Sequence, residues 1–494
     1  MSDRRTYRFG PVERNGFLGP IRASQAAVVL GGVVCGLLLL GGSPSAGRVT
    51  GAILAFAVSV ALATAQLGSR TAEQWVLVAG EWAARRLLRL NAFQSRVPTA
   101  GTLISAKRVA VSADSDIAVP RALSGVRIRE LPYRGRVVGA VSERRGRFLT
   151  AVLACRVVSF SLLDAATQER SLAHWGGVLS ACADTPVRRI QWLERTSPTE
   201  GDELARWLQA ERSRDLPAHG TPLIDSYLEL IERSVQIAQE HEVLVAVQVD
   251  TARVRSRAID AAAATVVEEA ERVAEGLRRA GAEIKGAMTP RHLARMFRTA
   301  FDPYIRREPL DDHDELAATE SPADGLWPIG AIEGWDHYRT DGAVHSTYWI
   351  AGWPRVDVGA LFLDPLLSQS FAVRTVSVTF EPVSTDRSIR DVEAQVTRAE
   401  ADQAVRARFG QAETARQQQA YGATRRREAE LAAGYGEIRF AGFVTVSAPD
   451  VEQLHGARAE VARDASRSHL ELRPMYAQQA EAFTFTLPLC RGLR

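Results

Sequence analysis

Two charge-free apolar runs near the start of the chain limit what it can fold into more than any other feature. Ala26–Gly42 and Val49–Leu67 are 17 and 19 residues long, and only Ser43-Pro44-Ser45-Ala46-Gly47-Arg48 separates them. As helices they would each be about 25–28 Å long, close to the roughly 30 Å of a bilayer's hydrocarbon core. Two spans joined by six residues must run antiparallel. Arg4, Arg5, Arg8, Arg14 and Arg22 precede the pair and Arg70, Arg85, Arg86 and Arg89 follow it, against Arg48 between, so both flanks are expected in the cytoplasm. A cleaved leader would fit Ser43–Gly47, but a second apolar run follows at once. A buried hairpin of a soluble protein is the other alternative; length and flanking charge favour the membrane. Gly32 and Gly36, with Ala57 and Ala61, are small pairs that would let helices pack closely.

The rest of the 494-residue chain has ordinary apolar and charged fractions and can bury a substantial core. A net charge of +3 gives no argument for nucleic acid. Lys107 and Lys285 are the only lysines, and the four cysteines Cys35, Cys155, Cys182 and Cys490 are scattered without a CxxC, as in a reducing compartment.

Residues 1–24 read as a polar cytoplasmic arm, 25–68 as the transmembrane hairpin, and 69–137 as a juxtamembrane helix with a β-rich lead-in. In Thr71–Phe93, Trp75, Val78 and Trp82 share one helical stripe, set either at headgroup level or inward against a soluble body. A first α+β lobe, 138–309, interleaves strands (Phe148–Leu163, Val187–Arg195, Val243–Val249) with helices (Ala165–Ala183, Glu200–Arg212, Pro222–Gln239, Ile259–Ala280). Thr289-Pro290 caps a further helix with Leu293, Met296, Phe297 and Phe301 on its apolar face. This order suggests a ferredoxin-like layer.

An acidic loop, 310–326, leads to a second lobe, 327–494. Trp327, Trp335, Tyr338, Trp349 and Trp353 surround an Asp341-Gly342 turn. Phe371–Glu381 alternates Val376, Val378 and Phe380 with Ser377, Thr379 and Glu381, a strand with one buried face. A helical hairpin is expected over 386–434, then a strand (Glu437–Val446), a helix (Asp450–Ala465) and a short strand (Leu470–Arg473). The fold class is therefore α+β behind an N-terminal two-helix hairpin.

No residues of familiar chemistry stand together. A P-loop needs a lysine after its last glycine, and neither lysine qualifies; GxGxxG, HExxH and HxH are absent. Asp311-Asp312-His313-Asp314-Glu315 reads as a solvated loop, because no glycine-bearing calcium spacing accompanies it. The aromatic group 327–353 reads as core before a stacking platform. Arg425-Arg426-Arg427 is balanced by Glu428 and Glu430. No catalytic, cofactor or metal residue is assigned.

The order of elements from about Val138 to Leu489 resembles the N-terminal, non-ATPase domain of the large hexameric ATPase of type IV secretion and conjugation systems. The likeness lies in Ile190-Gln191-Trp192-Leu193-Glu194, the strand Val243–Val249, the hairpin 386–434 and the tail Gln479-Ala480-Glu481-Ala482-Phe483 with Leu487-Pro488-Leu489. The hairpin resembles the small two-span membrane protein of those systems, and the whole is similar to actinobacterial membrane proteins of that fused build. In that family an ATPase domain would begin where this sequence stops, at Arg494. The resemblance implies a non-enzymatic inner-membrane platform that docks a separate P-loop ATPase and other channel subunits, in copies that would match a hexamer. A membrane-tethered enzyme, or a part of an ESX-type export system, is the alternative.

Overall fold

The computed structural model describes residues 7, 9, 23–41, 45–67, 70–95, 119–156, 160–198, 239–254, 259–305, 327–368, 372–408, 415–433 and 436–493, with 222, 226 and 229. The expected helix Glu200–Arg212, the acidic loop with Asp311–Glu315, and nearly all of the arm 1–24 lie outside them. The chain is α+β, built on one large antiparallel sheet.

Helices α1 (Ala23–Leu40) and α2 (Ala46–Thr64) begin about three residues earlier than the apolar runs suggest, because Ser45 takes the cap position and Arg48 falls in the first turn of α2. A small antiparallel ribbon, β1 (Gln66–Leu67) and β2 (Arg70–Thr71), leads to α3 (Ala72–Leu87) and β3 (Ala92–Gln94).

The first lobe comprises β4 (Arg127–Tyr133), β5 (Arg136–Glu143), β6 (Phe148–Arg156), α4 (Ala165–Ala181), β7 (Val187–Pro198), β8 (Gln239–Asp250), α5 (Ile259–Arg279) and β9 (Glu283–Ala287), with α6 (Pro290–Phe301) after it. The second comprises β10 (Gly330–Glu333), β11 (Tyr338–Arg339), β12 (Val344–Gly352), α7 (Asp364–Leu367), β13 (Arg374–Val383), α8 (Thr385–Arg408), α9 (Ala415–Ala432), β14 (Glu437–Ala448), α10 (Val451–Arg467), β15 (Glu471–Pro474) and α11 (Gln479–Phe483). Strand β4 therefore belongs with the first lobe and β3 pairs with β10 of the second.

The lobes repeat one plan. In the first, β6, α4, β7, β8, α5 and β9 follow a β-α-β-β-α-β order, with the strands lying side by side as β9-β6-β8-β7. In the second, β12, α7, β13, β14, α10 and β15 do the same, lying as β15-β12-β14-β13. A hairpin precedes each: β4-β5 beside β6, and β10-β11 beside β12. Equivalent strands β7 and β13 pair antiparallel, Trp192 opposite Val378 and Leu193 opposite Ser377, so an approximate two-fold axis passes through the sheet between them. The α8–α9 hairpin is inserted between the second and third strands of its lobe.

Period-2 patterning explains one face of this sheet. Ile190, Val245 and Val247 meet Val266, Ala270, Val273 and Leu277 of α5, while Val344, Ile350, Val376 and Val444 meet Leu454 and Val461 of α10. On the other face, Leu293, Met296, Phe297 and Phe301 of α6 pack with Leu193, Leu244, Trp327 and the tail residues Phe483, Leu487 and Leu489. The Thr289 hydroxyl caps α6 by accepting from the His292 amide, with Pro290 in its first turn. One expectation fails: Ser377 and Thr379 on the polar side of β13 are as buried as Val376 and Val378. The C-terminal segment covers them.

Candidate anchor and docking surface

Helices α1 and α2 pack antiparallel along small residues. Gly32 faces Ser59 and Gly36 faces Ala52, and the Gln25 amide donates to the Ala63 carbonyl at 2.8 Å. Ala52, Ser59 and Ala63 are the buried residues of α2, whereas Ala57 and Ala61, expected to act as a second small pair, face outward. Outward too are Leu30, Leu37, Leu38, Ile53 and Leu54, each more than half exposed. By length and composition α2 could cross a membrane; Ser24–Leu40 is a shorter apolar helix. A β-carbon on Gly32 would lie 2.1 Å from Ser59 Oγ and 2.4 Å from its Cβ. Gly32→Val should therefore splay the pair at ~1–3 kcal/mol. In a Cys35→Ser background, the disulfide yield of a Gln25→Cys, Ala63→Cys pair should fall severalfold, and an unchanged yield would refute this packing.

Helix α3 joins the hairpin to the sheet. At its start the Glu73 carboxylate is buried, accepting from Ser24 Oγ at 3.2 Å and Thr71 Oγ1 at 3.3 Å. Further along, Trp75 lies against Trp335 and Tyr476 and Trp82 against Trp335, with ring centroids 5.2–6.0 Å apart. The tryptophan stripe thus packs inward, while Val76, Leu77, Leu87 and Leu88 remain exposed. Arg85 locks the contact: Nη1 meets Glu333 Oε2 at 3.3 Å and Nη2 donates to the Ala477 carbonyl at 2.7 Å. Burial pushes the Glu333 carboxyl up, opposed by the Ala480 amide, which donates to Oε1 at 3.0 Å, and by the Arg85 charge. In the N-terminal arm, Phe9 fits among Trp353, Phe362 and Phe440, and Tyr7 bridges to Val358.

The segment after β15 crosses the polar side of the sheet. Gln191, fully buried, donates to Ser377 Oγ at 2.7 Å and to the Phe485 carbonyl at 2.9 Å, and accepts from the Cys490 amide at 2.7 Å. Gln248 donates to the Leu489 carbonyl, Thr379 to that of Arg491, and Arg189 to those of Cys490 and Leu493. Thr445 lies between Thr347 and Thr486, with hydroxyls 2.8 Å apart on each side. Arg491 pairs with Glu143 and donates to the Ala122 carbonyl. Burying Gln191, Gln248, Ser377, Thr379 and Thr445 on this side is tolerable because each finds a partner in this segment.

The residues singled out from sequence do not converge. Trp327 and Tyr338 are core, Trp335 belongs to the α3 contact, Trp349 carries Arg473 and Trp353 holds Phe9. Arg425 pairs with Glu400, Arg427 with Glu437, and Arg426 caps the Gly422 carbonyl. His345 is wholly buried among Thr340, Ser447 and the Phe301 carbonyl, and burial pushes it down to about 4, so it stays neutral. Among the described residues no group of three or more His, Cys, Asp or Glu could hold a metal ion, and the cysteines are unpaired. The contacts of Arg85, Glu333 and Gln191 carried no sequence signal, because each joins residues far apart in the chain. No family model matches the chain, and no curated protein is significantly similar to it.

Proposed function

We propose that this protein is a membrane-anchored platform of a type IV secretion- or conjugation-like machine, docking a separate P-loop ATPase. In this reading α1 and α2 form a two-span hairpin in the inner membrane. Both flanks and the two ferredoxin-like lobes stand in the cytoplasm, the side that the arginines on either flank favour. The observation that carries the proposal is the join between two unlike surfaces. A hairpin with small residues inside and Leu, Ile and Val outside is fastened by Arg85, Trp75 and Trp82 to a sheet with no recognisable reaction centre among the described residues. A tether held this firmly would fix the lobes at the membrane, as a scaffold requires and a flexibly linked enzyme does not. The protein acts without catalysis of its own, alongside channel subunits and further copies of itself, six of which would match a hexameric motor.

Affinity purification of the tagged full chain from native membranes in mild detergent, with mass spectrometry of what accompanies it, tests this. Stoichiometric recovery of a P-loop ATPase is expected. Recovery of the protein alone, or its release from membranes by alkaline carbonate, would count against the platform.

A further inference from the structure

Away from the contacts that hold the anchor, arginines gather beside the β5–β6 turn. Arg144, Arg147 and Arg188 all approach the Phe148 ring, with Cζ 5.3, 5.3 and 4.5 Å from its centroid. The carboxylates nearby are already engaged. Glu143 pairs with Arg491, Glu381 with Arg189 at 2.6 Å, and Asp250 with Arg147 at 3.5 Å. Arg144, Arg145 and Arg188 have no carboxylate partner among the described residues. Burial, followed by the charge of Arg189, lowers the Arg188 pKa against the opposing charges of Glu381 and Asp250.

The backbone gives an independent sign. Arg144, Arg145 and Gly146 follow one another with φ of 48°, 58° and 89°. Left-handed backbone suits glycine, but two successive arginines there cost conformational energy that glycine would not. The turn is short, since Glu143 pairs with Phe148 across it, so this conformation fixes where both guanidinium groups start.

We propose that Arg144 and Arg145, at the β5–β6 turn, form with Arg188 of β7 a binding site for a di- or polyphosphate group. Guanidinium forks match phosphate oxygens bidentately. Three uncompensated arginines exceed what one carboxylate neutralises and suit linked phosphates, a terminal one carrying about −1.5 to −2. Free phosphate chains and lipid headgroups share this chemistry. The site spans β7 to β5, three to six strands from β12, beside which the anchor docks, or about 14–29 Å across the sheet, which favours a free phosphate chain.

The test uses the full chain in nanodiscs of zwitterionic lipid, titrated with pyrophosphate by calorimetry. Saturable binding is expected, weakened roughly tenfold or more in Arg144→Gln with Arg188→Gln and falling as salt rises. Arg144→Gly and Arg145→Gly should separate binding from folding: each should leave the melting temperature equal or higher while weakening binding. Repeating the titration with anionic lipid in the disc distinguishes the sources. Unchanged affinity identifies a free phosphate chain as the ligand, and a severalfold loss identifies competing headgroups. No saturable binding at millimolar pyrophosphate, or equal binding by the variants, would overturn the proposal.

Discussion

Arg85→Ala should destabilise the protein by roughly 3 kcal/mol and free the anchor from the lobes. Arg85 is the only described cation paired with Glu333, whose side chain is 5% exposed, and its second nitrogen satisfies the Ala477 carbonyl. Alanine leaves a buried carboxylate without countercharge and a carbonyl without its donor. The loss should depend on pH in a defined sense. Folding raises the Glu333 pKa above its ordinary 4.5, so the proton favours the folded state. Its contribution is greatest below pH 4.5 and is lost as the pH rises through the folded value. Removing Arg85 deletes a cause that lowers this pKa, so the variant should lose more stability at pH 7.5 than at pH 5. Glu333→Gln added to Arg85→Ala should restore part of it. Arg86→Ala is the control, because Arg86 only lies over Trp82 at 5.1 Å. Thermal unfolding in detergent at the two pH values reads the effect. A variant as stable as the parent, or a loss that grows toward acid, would show that the pair does not hold the joint.

What could be read from sequence follows from how far each signal reaches along the chain. The apolar runs at α1 and α2, the stripe Val266, Ala270, Val273, Leu277 of α5 and the Thr289-Pro290 cap are local: each run forms a helix, shifted by about three residues, and the stripe and the cap lie as expected. Period 2 in β13 correctly put Val376 and Val378 inward, yet it implied that Ser377 and Thr379 face water. Alternation reports which side is apolar and is silent on what covers the other. Here the cover comes from about a hundred residues later and works by hydrogen bonds to carbonyls, which any residue supplies. The short strands β3 and β9 and helix α7 escaped notice because three to five residues carry no period. The internal repeat stayed hidden for a related reason. Equivalent strands share a pattern but few residues, and their side-by-side order comes from pairing across the chain. Trp327, Trp335, Tyr338, Trp349 and Trp353 look like one group in sequence, but strand and turn send neighbours to different faces.

Gln191→Ala is expected to cost ~3 kcal/mol, since it strands the buried Cys490 amide and removes one of two donors from the Phe485 carbonyl. Ser377→Ala should cost only ~1 kcal/mol, because Gln191 still serves that carbonyl. Gln191→Glu should resemble alanine or be worse, as a carboxylate accepts from Cys490 but cannot donate to Phe485. Urea unfolding gives the magnitudes, and limited proteolysis gives the place, with cleavage between residues 484 and 493 preceding cleavage of the sheet. Equal resistance of all variants would mean that packing of Phe483, Leu487 and Leu489 alone secures the segment. The consequence reaches the anchor. The same stretch touches α3 through Tyr476 and Ala477 at one end and Arg189 through Leu493 at the other. If Gln191 pins its middle, Gln191→Ala should also speed hydrogen exchange in α3. If exchange in α3 is unchanged, the Arg85 contact is self-sufficient and the two ends of the segment act independently.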